Sequence, residues 1–377
     1  MDTTLSERAG MKSALPFPPR ELLTNVSVAV RIGVFGISLL FATGSTAQHL
    51  YAGTVNKTPT FITFAAPDAG TNAGQGTNAS AINAAGDITG SYQDASNSVH
   101  GFVRASDGKI TEFDAPSASG GTVPVSINAG GDIAGFYVDT DHVDQAFVRT
   151  NNGSIVEFNV LDSWTSVGGI NAAGDVAGYY AITGIEASEG FVRSRNGAIT
   201  AFDEEYVIFP FGINTAGDVA GYYLDSNLNY YGFVRDSDGK STKFALPGGP
   251  GDEPYLGGIN EVGDIAGFYF DGNTGLYHGF VRASNGKMTT FEAPSAGKGY
   301  LQGTVALDIN TAGSVTGYYV DSKNIIHGFV RASNGVITDF DVPGTILTSP
   351  YAINTAGDIT GYCIDANNVH QGFMRKP

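Results

Sequence analysis

From residue 60 onward the chain alternates short runs of Val, Ile, Tyr and Phe with clusters of Gly, Asp and Asn. No run repeats its apolar positions at the three- and four-residue spacing of a helix, so the pattern predicts strands. The runs also recur as a unit. An Ile-Asn pair stands at Ile82-Asn83, Ile127-Asn128, Ile170-Asn171, Ile213-Asn214, Ile259-Asn260, Ile309-Asn310 and Ile353-Asn354. Each copy reads approximately I-N-x-x-G-D-[IV]-x-G-x-Y-x-D, a variable stretch, G-F-V-R, then [DN]-G, then x-x-x-x-F. Repetition at this period is the sequence mark of one propeller blade.

Four strands fit each copy. Strand A ends at Ile-Asn, and the N-x-x-G turn leads to strand B, as in residues 132–139. Strand C is G-F-V-R. An Asn-Gly or Asp-Gly turn, such as Asp107-Gly108 or Asn152-Gly153, leads to strand D, as in residues 109–116. Both residues of such a dipeptide tolerate positive φ, so C and D form a hairpin. The last copy stops at strand C, Gly372–Arg375, whereas the segment 61–67 reads as a strand D with no blade before it. The expected fold is therefore all-β: a seven-bladed β-propeller over residues 60–377, with four antiparallel strands per blade. The N-terminal strand completes the last blade, and closure removes exposed edges.

The motifs I-N-x-x-G-x-[IV]-x-G and [HQ]-[GA]-F resemble the HAF-type probable extracellular repeat family. The naming triplet appears as His-Gly-Phe at His100, His278 and His327, and in its nearest literal form as Gln145-Ala146-Phe147. The last copy has Gln371-Gly372-Phe373, and copies three and four place Glu189 and Tyr231 first. The resemblance implies an extracytoplasmic bacterial repeat protein. It brings no established activity and carries no catalytic residue onto this chain.

Composition sharpens the picture. Hydrophobic residues make up 42%, enough for a sizeable core, and Gly is very high at 52. Lys plus Arg is 20 against 37 for Asp plus Glu, a net charge of −17, which excludes a nucleic-acid backbone as partner. The single cysteine, Cys363, excludes an intramolecular disulfide framework and a Cys-rich metal site, and is expected to be a small core residue. Arg8, Lys12, Arg20 and Arg31 precede an apolar run at 32–43, followed by Ser45-Thr46-Ala47. Residues 1–47 therefore read as an export signal cleaved before Gln48, with 48–59 a short linker and Met11 an alternative start. An uncleaved anchor is the other reading, although the run is short for a span of about 20 residues. The protein is expected to be secreted, periplasmic or cell-surface, monomeric, and not membrane-inserted after cleavage.

The repeated polar residues suggest structural roles. Asp87, Asp132, Asp175, Asp218, Asp264 and Asp358 begin strand B, with Ser314 in copy six; Arg104, Arg149, Arg193, Arg235, Arg282, Arg331 and Arg375 end strand C. Since B and C are antiparallel neighbours, an Asp–Arg cross-strand pair is expected in most blades. A second series of acids closes strand B, with oxygen-bearing residues following, as in Asp139-x-Asp141 and Asp225-x-Asn227-x-Asn229. Calcium loops begin this way, but the later Gly and distal Glu are missing, and Asp and Asn also cap tight turns. The turn role is the expected one, with calcium the alternative and no other cofactor. The histidines before strand C lie on different blades and are not expected to converge on one ion. Glycines such as Gly135 in strand B are expected to let neighbouring sheets approach closely.

Function is expected where the repeat varies. Alternation puts the D–A and B–C connections on one face and the nearly identical A–B and C–D turns on the other. Variable loops on a repeated scaffold are where binding usually lives. The D–A connections carry Trp164, Tyr206, Phe209, Tyr255, Tyr300 and Tyr351, with Asp162, Glu204, Glu205, Asp252 and Glu253 beside them. Aromatic platforms with carboxylates suit a ligand that stacks and hydrogen-bonds. The expected function is that of a non-enzymatic binding or scaffold propeller contacting a glycan or an envelope or extracellular protein. The alternative is a glycan hydrolase or lyase that pairs Glu204 or Glu205 with Asp252 or Glu253 at the channel mouth. No nucleophile-elbow, zinc-protease, P-loop or dinucleotide motif accompanies it.

Overall fold

The alternating pattern is realised as twenty-eight β-strands among the residues that the computed structural model describes, 58–182, 187–203, 207–249 and 252–377. The expected signal, 1–47, and most of the linker lie outside the described residues. Every strand falls in one compact unit, Asn56–Ala181 with Ala187–Pro377. Among the described residues no helix is long and apolar enough to cross a membrane.

In chain order the strands begin with β1 (Thr60–Phe64). The first set of four is β2 (Gly76–Ile82), β3 (Ile88–Gln93), β4 (Val99–Arg104) and β5 (Ile110–Phe113). The second is β6 (Gly121–Ile127), β7 (Ile133–Val138), β8 (Asp144–Arg149) and β9 (Ile155–Phe158). The third is β10 (Thr165–Ile170), β11 (Val176–Ala181), β12 (Ser188–Arg193) and β13 (Ile199–Phe202). The fourth is β14 (Val207–Ile213), β15 (Val219–Leu224), β16 (Tyr230–Arg235) and β17 (Ser241–Ala245). The fifth is β18 (Glu253–Ile259), β19 (Ile265–Asp271), β20 (Leu276–Arg282) and β21 (Met288–Phe291). The sixth is β22 (Gln302–Ile309), β23 (Val315–Val320), β24 (Ile326–Arg331) and β25 (Ile337–Phe340). The chain ends with β26 (Leu347–Ile353), β27 (Ile359–Ile364) and β28 (His370–Lys376).

Each set pairs antiparallel in chain order, and the final three strands take β1 as their fourth, from Thr60↔Lys376 to Phe64↔Gly372. The first strands of successive sets lie against one another, and β26 lies against β2. Each first strand is bulged, skipping Ser80, Val125, Gly168, Phe211, Gly257, Leu307 or Tyr351 in the register. The strand-B glycine serves that bulge. A Cβ at Gly135 would collide with the carbonyl oxygen of Val123, and one at Gly361 with that of Ser349. The close approach is thus to the set's own first strand, not to a neighbouring sheet.

The core repeats with the sequence. Phe102, Phe147, Phe191, Phe233, Phe280, Phe329 and Phe373, the Phe of each G-F-V-R, are fully buried. Each meets the strand-D Phe of the preceding set edge-on in most sets, as in Phe113–Phe147 at 6.0 Å and 77°. The terminal strand joins this scheme: Phe64 of β1 meets Phe102 at 6.0 Å.

The arginines do not pair with the strand-B aspartates. In the register Ile88 faces Arg104, so Asp87 lies one position out, and adjacent positions on a strand point to opposite faces. Each guanidinium instead lies over the strand-D Phe of the preceding set. Arg104 covers Phe64, Arg149 Phe113, Arg193 Phe158, Arg235 Phe202, Arg282 Phe244, Arg331 Phe291 and Arg375 Phe340, all at 4.4–5.0 Å. The contact is cation–π and joins sets rather than strands. The aspartates tie the A–B turn to the C–D turn. Asp87 accepts from the Ser106 amide at 2.9 Å, Asp132 from Asn151, Asp175 from Arg195 and Asp264 from Ser284. Asp218 and Asp358 accept from the side chains of Asn214 and Asn354. Among the described residues the one Asp–Arg ion pair in this series, Asp132–Arg195 at 3.5 Å, uses an arginine outside it.

The Ile-Asn signature also has a physical basis. Asn83 Oδ1 accepts from the amides of Ala85 and Asp87, which shapes the turn, while Nδ2 donates to the carbonyl oxygen of Asn128 at 3.2 Å. The same bond runs Asn128 to Asn171, Asn171 to Asn214, Asn214 to Asn260, Asn260 to Asn310 and Asn310 to Asn354. Asn354 then donates to Asn83 at 3.1 Å.

Candidate functional site

At the opposite ends of the first strands the repeat breaks down. In four sets the residue seven positions before the Ile of the Ile-Asn pair pins its D–A loop to the B–C loop, or to the end of the second strand, of the same set. Gln75 reaches Asn97 Oδ1 at 2.8 Å, Ser163 donates to the Ala181 carbonyl at 2.5 Å, and Gln302 reaches Asn324 at 2.8 Å. Asp252 holds the same place and accepts from the Gly272 amide at 3.1 Å, only 9% exposed. Its carboxylate thus ties its loop to the B–C loop of the same set. Glu204, Glu205 and Tyr206 lie outside the described residues.

The next position separates two kinds of contact. Where it is Gly76, Gly121 or Gly303, at φ 118°, 131° and 117°, the backbone presses on the third strand of the preceding set. At Trp164 and Glu253 an aromatic donor instead meets an acid across the same gap, while the equivalent residues of the fourth and last sets are Val207 and Leu347. Trp164 Nε1 donates to Asp144 Oδ2 at 2.7 Å. Tyr230 donates from its hydroxyl to Glu253 Oε1 at 3.3 Å, with the polarity reversed between the sets.

Around Glu253 the aromatic residues gather. Tyr255 stacks on Phe268 at 4.7 Å and 9°, and Phe268 meets Tyr277 edge-on at 5.9 Å. Tyr277 contacts Phe270, which meets Tyr300 at 6.1 Å. On the other side Tyr230 packs on Tyr222 at 5.8 Å, and Tyr222 on Phe209 and Phe211. Tyr179 links Phe209 to Trp164. Burial first, and then the charge of Glu253, hold the hydroxyls of Tyr230, Tyr255 and Tyr277 protonated above the ordinary phenol range. Tyr222 is raised in the same direction, by burial first and by its neighbours Tyr255, Tyr230, Tyr179 and Glu253 after it. Four hydroxyls thus lie in the field of one exposed carboxylate.

The loop aromatics therefore divide. Tyr300 stands out at the tip of its loop, 73% exposed, beside Leu301 at φ 61°. Trp164 is half-buried. Phe209 and Tyr255 belong to β14 and β18 rather than to loops, and Phe209 is buried. Tyr351 departs most from expectation. It is the bulge residue of β26, two positions before Ile353, and its ring packs on Tyr362 of β27 at 5.9 Å. The strands start earlier than the loop compositions suggest, because the pin residue ends each loop.

The Asp139 and Asp225 loops are closed by their own backbone. Asp139 Oδ1 accepts from the Asp141 and Val143 amides, and Oδ2 from Gln145. Asp225 Oδ1 accepts from the Asn227 and Asn229 amides, and Oδ2 from the Asn229 side chain. These are Asx turns, in which the carboxylate completes the loop. Among the described residues no group of three acids, histidines or cysteines is arranged to hold a metal ion. The histidines are likewise engaged separately. His100 lies between Asp114 at 2.9 Å and Asp94 at 3.6 Å, stacked on Tyr92. His327 repeats this with Asp341, Asp321 and Tyr319, and His278 with Glu292, Asp271 and Tyr269. Cys363 is buried, and burial pushes its thiol up to about 12.

One residue escaped the sequence reading. Asp308 occupies a position of β22 that is Ala81, Ser126, Gly169, Gly212, Gly258 or Ala352 in the other sets. Its carboxylate accepts from the Ile309 and Ile353 amides, both at 2.8 Å, and leans on Gly258, where a Cβ would meet Oδ1 at 2.6 Å. Burial raises its carboxyl to about 7, against the lowering effect of the two amides. Tyr230 and Tyr277 were missed too, because both lie on third strands. For Asp308 the usable signal was a carboxyl at a position that is Gly, Ala or Ser in every other set, whereas the position of Tyr230 and Tyr277 varies from set to set.

No family model and no curated protein matches the chain. Among solved structures it is similar to a catalytically inactive virginiamycin B lyase from Staphylococcus aureus with quinupristin, at 13% identity and a TM-score of 0.56, covering 85% of this chain and 99% of that one. It is also similar to a streptogramin B lyase structure, at 13% identity and a TM-score of 0.55, covering 85% and 98%. At such identity the likeness is one of fold, and with the four-stranded antiparallel sets it supports a β-propeller scaffold.

Proposed function

We propose that the seven sets close into one seven-bladed β-propeller of the HAF-repeat kind, exported and monomeric. In this reading it is a binding protein that takes a glycan on the face formed by the D–A and B–C loops. Closure is supported by β1 pairing with β28 and by the Asn354 side chain bonding Asn83. Binding rests on the cluster of Tyr230, Tyr255 and Tyr277 around Glu253, with Tyr300 exposed beside it. Phenol rings stack on sugar rings, and hydroxyls and a carboxylate hydrogen-bond to sugar hydroxyls. Export rests on the signal-like segment 1–47.

The test is a glycan array probed with residues 48–377, with calcium and again with chelator. Specific binding that falls in Tyr255→Ala and Tyr300→Ser supports the reading. Loss on chelation alone would reassign the Asp139 and Asp225 loops to an ion. A blank array overturns the glycan reading and points to an envelope or extracellular protein on the same face. Removing residues 58–66 tests closure separately, since an open row of sets would keep its melting temperature.

A further inference from the structure

We infer that the site where Tyr230 of β16 meets Glu253 at the start of β18 recognises an organic ammonium group, carried as the free amine of an amino-sugar oligosaccharide. This rests on the binding reading above and names the ligand class of the same site. Glu253 is exposed, and its one hydrogen bond among the described residues comes from the Tyr230 hydroxyl. No Lys, Arg or His of the described residues pairs with it. Beyond Tyr230 the aromatic surface continues through Tyr222, packed on Tyr230 at 5.8 Å, and through Tyr255 and Tyr277, which share Phe268, so the neighbouring polar groups are phenols that add acceptors and no charge. A carboxylate among phenol oxygens is a site of negative potential with no internal cation to quench it. Its complement is a positive donor.

The rest of the molecule reinforces the sign. Acids outnumber bases 37 to 20, and seven arginine guanidinia are committed to phenylalanine faces within the scaffold. The long-range field therefore draws cations and repels phosphate, sulfate and carboxylate ligands. A neutral sugar would gain only stacking and neutral hydrogen bonds. A protonated amine adds a charge-assisted bond to Glu253, roughly twice as strong. Tyr255, flat on Phe268, and the exposed Tyr300 supply the apolar surface for the sugar rings.

The discriminating probes are the glucosamine trimer and its fully N-acetylated counterpart, which share linkage and length and differ in charge. Both are titrated calorimetrically at pH 6, where the amines are protonated. The glucosamine trimer is expected to bind about tenfold tighter, the size of one charged hydrogen bond. Raising the salt from about 50 to 500 mM should narrow the gap, as screening requires. Glu253→Gln should abolish the preference while leaving the melting temperature unchanged, because the side chain is exposed. Tyr230→Phe, which frees the carboxylate, should reduce the preference without removing it. Equal affinity for the two trimers overturns cation recognition and leaves the glycan face standing. A preference that survives in Glu253→Gln overturns the assignment to this carboxylate. Binding of neither trimer overturns the inference outright.

Discussion

The two ends of the first strands follow opposite rules. At the asparagine end every set has the same residues doing the same work: an Asn that shapes its own turn and bonds the next set, and in most sets an Asp that joins two turns. At the rim end four sets carry a pin, Gln75, Ser163, Asp252 or Gln302, and the neighbouring position is a pressed glycine in three sets, part of an aromatic–acid contact in two, and Val207 or Leu347 in the others. The first end gains strength from repetition, because each residue has an equivalent partner on either side. The second is free to vary, because its loops need only one anchor each. Chemistry that differs from set to set can therefore accumulate at the rim without disturbing the scaffold.

The sharpest way to break this contrast is at the asparagine end. Asn354→Ala removes the donor to the Asn83 carbonyl and the acceptor for the Ala356 and Asp358 amides. Leaving such buried groups unpaired is expected to cost about 2–4 kcal/mol, read as a lowered denaturation midpoint. Asn171→Ala should cost the same if the sets form a ring. A clearly smaller loss for Asn354 would mean that the last set is not held to the first.

The arginines come next. Arg149→Met should cost about 1–2 kcal/mol through the lost cation–π contact and stem packing. A double-mutant cycle of Arg149 with Phe113 should show coupling of about 0.5–1 kcal/mol, and one with Asp132 essentially none. Coupling to Asp132 would restore the ion-pair reading that the register argues against.

Much of the scaffold was legible in the sequence, since turn dipeptides, the Ile-Asn signature and the unmatched terminal strands each carry a local rule. The arginine partners were not. They depend on which face a residue takes relative to the neighbouring set, and a one-position offset between Asp87 and Arg104 reverses the answer. At the rim, Glu253 and Tyr255 were legible as loop exceptions. The bond from the Gly272 amide to Asp252 was not legible, because it depends on where the B–C loop of the same set lies. Asp308 was missed because its signal is one carboxyl at a position that is Gly, Ala or Ser in the other sets, visible only when the copies are compared position by position.

Asp308 offers a pH-dependent test. Its folded-state pKa of about 7 lies above the ordinary 3.8, so the native state holds the proton more tightly. The stability it contributes is complete below pH 3.8 and is lost as pH rises through 7. Asp308→Asn should remove that slope, on the order of 1 kcal/mol between pH 5 and 8 once the residual exposure of the site is discounted. His100 and His327 act in the same sense at higher pH. Burial opposes their charge, but Asp114 with Asp94 and Asp341 with Asp321 outweigh it, so both pKa values are raised. Their contribution is present below pH 6.5 and lost as pH rises through the raised values, so the comparison must be variant against wild type at each pH. Parallel curves would show that Asp308 is solvated.

The smallest stability effect should come from the most conspicuous rim residue. Tyr300 is 73% exposed; its ring meets Phe270 edge-on and lies against Gly275. Its loop is held by other bonds: Leu301 donates to the Gly275 carbonyl at 2.7 Å, and Gln302 holds the Gly299 amide and Asn324. Tyr300→Ser should therefore change stability by less than about 0.5 kcal/mol. An aromatic ring kept in water by a loop that does not need it has no scaffold reason to be there. The same substitution should weaken glycan binding measurably, since exposed aromatic surface is what a sugar ring covers. A melting temperature that falls with the substitution would place Tyr300 in the scaffold after all. Unchanged stability with weakened binding would separate the two ends of the strands by function as well as by sequence.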